Sequence, residues 1–229
     1  MNRDVLIKIE DVSRIFQVPG GEFAALKNIN ATIDKGSFTI LKGRSGSGKT
    51  TLMNIIGGLD APSKGKVFLE EQEISSLSEK EKENLRRKEF GFVFQAVSLI
   101  PSLNAYQNVE FSLRLAGHKI DAEADKRVKE CLKMVGLAGR MTHMPAEMSG
   151  GEQQRVAIAR AIAHRPRIIF ADEPTAELDS AMAAKVTELF KTMASKEGIT
   201  VLMTTHDMGL MDAADSIIEL ESGERINAG

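Results

Sequence analysis

The segment Gly43-Arg44-Ser45-Gly46-Ser47-Gly48-Lys49-Thr50 fits the pattern G-x-x-x-x-G-K-[ST]. Glycines at this spacing let the backbone wrap closely around phosphate oxygens and aim its N–H groups inward. Ser45, Gly46, Ser47 and Gly48 form that cradle, and Thr51 carries it into the next helix. Lys49 would reach the β- and γ-phosphates of a nucleotide, and the Thr50 hydroxyl would bind Mg²⁺. Further along, Arg167-Ile168-Ile169-Phe170-Ala171-Asp172-Glu173 is an apolar strand ending in two carboxylates. Beside the phosphate loop, such a strand places Asp172 near the Mg²⁺ and turns Glu173 toward an attacking water, which it would polarise as a general base. Asp-Glu before Pro174 is also ordinary turn chemistry, a reading that an intact phosphate loop outweighs.

A second glycine-rich element lies at Met148-Ser149-Gly150-Gly151-Glu152-Gln153-Gln154-Arg155. Ser149 with Glu152 three residues on is a capping box, so a helix starts at Ser149. The Ser149-Gly150-Gly151 turn leaves backbone N–H groups at the positive end of that helix, which favours an anion. Either the chain binds two anions, or two chains share one. Thr204-Thr205-His206-Asp207 ends another apolar strand, and a histidine there can donate to a γ-phosphate, whereas His118, His143 and His164 are expected on helix or loop surfaces with no catalytic role. Gln95 closes the strand Phe90–Phe94, where it would contact Mg²⁺ or water on one side and the following helices on the other. Phe16, at a strand end, is the candidate platform for an adenine ring.

The elements that must position these residues alternate between strand and helix. Leu6–Phe16 and Phe23–Ile33 read as strands around a Pro19-Gly20-Gly21 turn. Ser37–Leu41 is a short strand leading into the phosphate loop, with a helix through about Gly57. Lys66–Leu69 and Phe90–Phe94 read as strands, and Glu79–Glu89 as a helix whose mixed charges face solvent. Residues 96–164 change to helical periodicity, at Val109–Leu113, Val128–Val135 and Ser149–Ile162. Alternation resumes with the strand Arg167–Ala171, the helix Ser180–Lys196 and the strands Thr200–Thr204 and Ser216–Leu220. The expected fold is α/β: a P-loop NTPase core with a mainly parallel sheet, an N-terminal antiparallel β subdomain and an inserted α-helical subdomain. On that reading 1–229 is one domain, with 1–95 and 165–229 as the nucleotide-binding core and 96–164 as the helical subdomain.

The 229 residues are 42% hydrophobic, enough for one large core, and 30 basic against 32 acidic residues give a formal net charge of -2. That balance is no footprint for nucleic acid. The single cysteine, Cys131, falls in a helical apolar pattern and reads as a buried thiol, in keeping with a reducing compartment. No window approaches the ~18 apolar residues of a membrane span, and Met1–Asp4 lacks the apolar core of a signal peptide. Met203, Met208 and Met211 are expected to fill core gaps. Leu99-Ile100-Pro101-Ser102-Leu103, with Tyr106, is an apolar stretch that either stays exposed and suits a partner helix, the reading preferred here, or folds as a loop onto its own lobe.

In their order, the phosphate loop, Gln95, Met148–Arg155, Asp172-Glu173, Ala176-Glu177-Leu178-Asp179 and His206 resemble the nucleotide-binding subunit of ATP-binding-cassette (ABC) transporters over essentially the whole chain. The resemblance implies ATP hydrolysis with Mg²⁺ by a head-to-tail homodimer with shared ATP sites. In it the Ser149 hydroxyl and Gly151 N–H contact a γ-phosphate held by the partner subunit's Lys49. Gly150 lies between them, Asp179 belongs to the D-loop and His206 is the switch histidine. It also implies integral-membrane permease subunits docking near Gln95 and Leu99–Tyr106, and a cytoplasmic chain peripheral on the inner (plasma) membrane. Met148 stands where leucine is usual, Glu152 where glutamine is common, and Phe16 where tyrosine is more usual; none of the three threatens activity. Phe90–Gln95, Leu99–Ala105 and Asn108-Val109 look like the branch holding lipoprotein-releasing, macrolide-efflux and cell-division ATPases. With no C-terminal regulatory domain after Gly223, this points to export over import. A regulatory cassette that transmits force to a cell-wall hydrolase, or a non-transport ABC protein, is the alternative; the compact spacing and lack of sustained heptads argue against DNA-repair members.

Overall fold

The computed structural model describes residues 4–226; Met1–Arg3 and the Met208 side chain lie outside the described residues. Two long strands, β1 (Val5–Val18) and β2 (Gly21–Asp34), form an antiparallel hairpin, and β4 (Lys64–Leu69) and β5 (Gln72–Glu73) extend it in the order β2-β1-β4-β5. The β1–β2 register shifts between Ile9 and Val12, where Asp11 takes a positive φ of 49° and exchanges hydrogen bonds with the Asn30 side chain. This bulge twists the hairpin.

The larger sheet runs β10-β9-β3-β8-β7-β6. Its members are β3 (Phe38–Lys42), β6 (Phe90–Val93), β7 (Ile168–Asp172), β8 (Thr200–Thr204), β9 (Ser216–Glu221) and β10 (Glu224–Ile226). All neighbours are parallel except β10, which pairs antiparallel with β9 at one edge. Strands β3, β7 and β8 are buried almost throughout, as parallel strands covered on both faces must be. Successive residues feed opposite sides. Ile40, Ile169, Ala171, Val201 and Met203 join a cluster with Val109, Val128, Cys131 and Phe190. Leu41, Ile168, Phe170 and Leu202 join another with Leu52, Ile56 and the β1–β2 hairpin. Two layers of packing therefore clamp one sheet whose five parallel strands all end on the same edge.

Between β6 and its neighbour β7 the chain runs through α3 (Ala105–Ala116), α4 (Ala122–Met134) and α5 (Gly150–Ile162). Each starts at a side-chain cap: Asn104 with Gln107, Asp121, and Ser149 with Glu152. The other helices are α1 (Lys49–Ile56), α2 (Glu79–Glu89) and α6 (Ser180–Glu197). Strands β5 and β10 were not evident as strands in the sequence; both are very short and polar. Helix α2 is largely exposed as expected, except that Lys82 is buried and Arg86 donates to the Gly58 carbonyl. Cys131 is buried and its thiol is pushed up to about 11 by burial.

Helix α5 crosses β6 at Gly91, where a β-carbon would lie 2.3 Å from the Ala161 carbonyl oxygen. Gly91→Ala must therefore push α5 off the sheet and should lower stability by about 1–3 kcal/mol. Urea unfolding of the two proteins measures this; coincident midpoints would show that the approach is looser than described.

Candidate functional site

The phosphate loop links β3 to α1, with Gly48 as the N-cap of α1 at φ 103°. A side chain at Gly48 would be strained in that backbone and would also meet the Ala25 carbonyl oxygen at 2.7 Å. No side chain caps α1 and no acidic residue occupies its first turn, so its N-terminal N–H groups are free to face an anion. The Ser47 hydroxyl is buried without a hydrogen-bond partner. The Lys49 ammonium, itself buried, folds over the loop and donates to the carbonyls of Gly43 (2.8 Å) and Arg44 (3.1 Å). A bare helix start, an orphan hydroxyl and a lysine bonded only to its own loop are the donor set a nucleotide's phosphates fit.

The ends of β7 and β8 meet the start of α1. Thr50 donates to Asp172 Oδ2 (2.9 Å), and the buried Thr204 hydroxyl donates to Asp172 Oδ1 (2.6 Å). Thr204 Oγ1 in turn accepts from the Glu173 N–H at 2.8 Å. Glu173 sits at φ 45°, a left-handed conformation that a non-glycine residue adopts only when its surroundings enforce it. Its Oε2 lies 3.4 Å from His206 Nδ1, and His206 is largely exposed. Gln95, in the loop just beyond β6, faces the same opening as Glu173 and His206. Among the described residues no cluster of three or more His, Cys, Asp or Glu could hold a metal. A Mg²⁺ here would depend on Thr50, Asp172 and Gln95 together with phosphate oxygens, the sparse protein ligation that suits this ion.

Gly48, Lys49, Thr50, Gln95, Glu173 and His206 line one cleft of about 520 Å³, together with Ser45, Gly46, Thr51, Phe16, Phe23 and Ala25, while Asp172 and Thr204 lie behind Thr50 and Glu173 through their hydrogen bonds. Phe16 and Phe23 are register partners across the hairpin, and the Arg14 guanidinium stacks over Phe16 at 4.5 Å while pairing with Asp60. Ser149, Gly150, Gly151 and Asp179 do not line this cleft. Ser149 caps α5, Asp179 caps α6 through the Met182 N–H, and Gly151 packs against Glu177 and Leu178. The chain thus builds a cleft around the phosphate loop and, apart from it, a second phosphate-type helix start at Ser149–Gly151.

Several residues of the site were not evident in the sequence. Thr204 looked like any strand residue, and Phe23 like one more apolar position. Gln154, almost fully buried, donates to the carbonyls of Phe94 (3.4 Å) and Pro174 (3.3 Å), so α5 is tied to the loops that carry Gln95 and Glu173. His164 is buried rather than on a surface: its Nε2 lies 2.9 Å from the Phe90 carbonyl, and burial pushes its pKa down. Leu99–Tyr106 is half-buried rather than exposed. Leu99 and Tyr106 pack on the helical core, and the Asn108 side-chain amide accepts from the Ile100 N–H and donates to the Ile100 and Leu103 carbonyls. Phe94, stacked on Phe92 at 5.7 Å, is the exposed ring of this region. Tyr106 is pushed up to about 12 by burial and its bond to Asp125.

Residues 26–176 match the ABC transporter family model. The chain is 45% identical over 219 residues to the ABC transporter ATP-binding protein MJ1508 of Methanocaldococcus jannaschii, covering 96% of this chain and 97% of that protein. It is 43% identical to the macrolide export ATP-binding/permease protein MacB of Wolinella succinogenes, of which it spans 34%. The dimeric post-hydrolysis structure of the ATP-binding cassette MJ0796, bound to ADP and Pi, superposes with a TM-score of 0.92 at 41% identity, covering 96% of this chain and 97% of that one.

Thr204→Val keeps the shape but removes both hydroxyl bonds at Asp172 and Glu173. The Mg²⁺ concentration for half-maximal ATP turnover should rise roughly 10–100-fold. A metal titration that superposes on the parent's would exclude this role for Thr204.

Proposed function

From the chain's membership of the ABC transporter family, whose ATP-binding cassettes are Mg²⁺-dependent ATPases, we propose that it powers export through a separate membrane permease. We propose further that each of its ATP sites is shared between two copies. One observation carries the shared site: Ser149–Gly151 presents a capped, positive helix start away from the cleft that holds the phosphate loop. A second copy, turned head to tail, sets each of these against the other's Lys49. The dimeric form of the MJ0796 cassette supports this arrangement.

In the proposed reaction Lys49 leaves the Gly43 and Arg44 carbonyls for the β- and γ-phosphates, and the α1 N–H groups and Ser47 hydroxyl complete the cradle. Thr50, Asp172 and Gln95 would hold Mg²⁺, which when bound would supply charge neutralisation at the phosphates. Glu173 orients and polarises the water, and its left-handed backbone, clamped by Thr204, aims the carboxylate into the cleft. His206 bridges Glu173 and the γ-phosphate, and Asp179 borders the dimer seam. Phe16 stacks on the base. The Ser149 hydroxyl and the Gly151 N–H close the site from the partner.

Coupling to a permease is inferred from relatives and from the surface beside Gln95. MacB proteins carry an ATP-binding part and a permease part in one chain. No helix among the described residues here is long and apolar enough to cross a membrane. We place the permease contact at Gln95, the exposed Phe94 ring and the rim of Leu99–Tyr106, with the chain peripheral on the cytoplasmic face of the inner membrane. Residues 1–95 and 165–229 then act as the nucleotide-binding core and 96–164 as the helical subdomain that carries motion to the permease. Gln154 ties that subdomain to both catalytic loops.

Glu173→Gln should trap a dimer with ATP and Mg²⁺ on size exclusion and return to monomer with ADP; a monomer at every ATP concentration would overturn the shared site. The tagged chain should co-purify with an integral-membrane protein from detergent-solubilised membranes, and Phe94→Asp should release it. Retention by Phe94→Asp would move the contact elsewhere.

A further inference from the structure

The Ser149 hydroxyl is already engaged. It accepts from the Glu152 N–H at 3.3 Å and lies 3.1 Å from Glu152 Oε2, which also accepts from the Ser149 N–H at 2.9 Å. That backbone bond holds the Glu152 carboxyl below the usual carboxylate range, so the group is charged. A carboxylate at this place is both a rival acceptor for the serine proton and a like charge for an incoming phosphate. Its other oxygen, Oε1, is 3.2 Å from Nε of Arg140. Arg140 ends a short 3-10 turn, Ala138–Arg140, after α4, and its Nη1 lies 3.0 Å from His143 Nε2. Its side chain is half-exposed while that of Glu152 is mostly buried, so the pair sits at the rim of the α5 start.

We propose that Arg140 is a positioning residue for the shared ATP site: it draws the Glu152 carboxylate onto its guanidinium and offsets its charge. The Ser149 proton and the N–H groups at the start of α5 then serve a terminal phosphate of a nucleoside triphosphate held by the other copy. The inference rests on the shared-site reading above. The strength of ATP-driven pairing is thus set by two residues outside the nucleotide cleft. Glutamine at 152 keeps the capping box, because its amide oxygen still accepts from the Ser149 N–H, but it removes the charge that Arg140 offsets.

A double-mutant cycle in the Glu173→Gln protein tests this, with dimerisation followed by analytical ultracentrifugation in ATP and Mg²⁺ at low and high salt. Arg140→Ala should raise the dimer dissociation constant about tenfold, less at high salt, and Arg140→Lys should restore part of the loss. Glu152→Gln should tighten pairing several-fold. With Gln at 152, Arg140→Ala should cost no more than about twofold. Binding of a fluorescent ATP analogue to the single chain should be the same in all variants, since neither residue lines the cleft. An equal loss from Arg140→Ala in both backgrounds, or no loss in either, overturns the inference. If the Glu173→Gln parent itself fails to pair, the shared-site reading falls and this inference with it.

Discussion

Asp172 is held from two sides, by the Thr50 hydroxyl and by the Thr204 hydroxyl, and Thr204 also receives the Glu173 N–H. Three chain segments that are far apart in sequence, the start of α1 and the ends of β7 and β8, become one hydrogen-bonded unit. Most else in the fold serves to keep those three ends level. The parallel register of β3, β8 and β7 brings them to one edge of the sheet. The two apolar layers fix the sheet from both faces. The left-handed turn at Glu173 is held by its N–H bond to the Thr204 oxygen and by the Ala176 N–H, which donates to the Glu173 carbonyl.

What could be read in the sequence was what depends on neighbours along the chain. The phosphate loop, the Ser149–Glu152 box and the continuous apolar runs of β3, β7 and β8 are local patterns with a local cause. What could not be read depends on segments that meet only in the folded chain. Thr204 acquires its role from a strand thirty-two residues away. Phe23 faces the cleft because the hairpin register sets it opposite Phe16. His164 looked like a surface residue, yet its ring turns under β6 to reach the Phe90 carbonyl. The apolar stretch Leu99–Tyr106 seemed too greasy for its lobe, but Asn108 supplies the backbone hydrogen bonds that let it fold inward.

Helix α5 carries constraints at both ends and in the middle. Its first turn is spoken for by Ser149 and Glu152, and its last by Arg127, which donates to the carbonyls of Ile162 and Ala163. Between them it touches β6 so closely that only glycine fits at position 91, and Gln154 bonds to two loops at once. A rod pinned this way moves as a whole. A displacement of a fraction of an ångström at one end is therefore felt at Gln95 and Glu173, because close-packed interiors have little room to absorb it.

The Arg14 guanidinium covers one face of Phe16, and the rest of that end of the cleft is Phe23 and Ala25. A base stacked on Phe16, as proposed above, would meet a flat ring backed by a cation, with a second ring beside it. Stacking of this kind responds to flatness and polarisability, which all nucleobases share. On that proposed placement stacking alone would hold the base, and recognition would fall chiefly on the triphosphate in the phosphate loop.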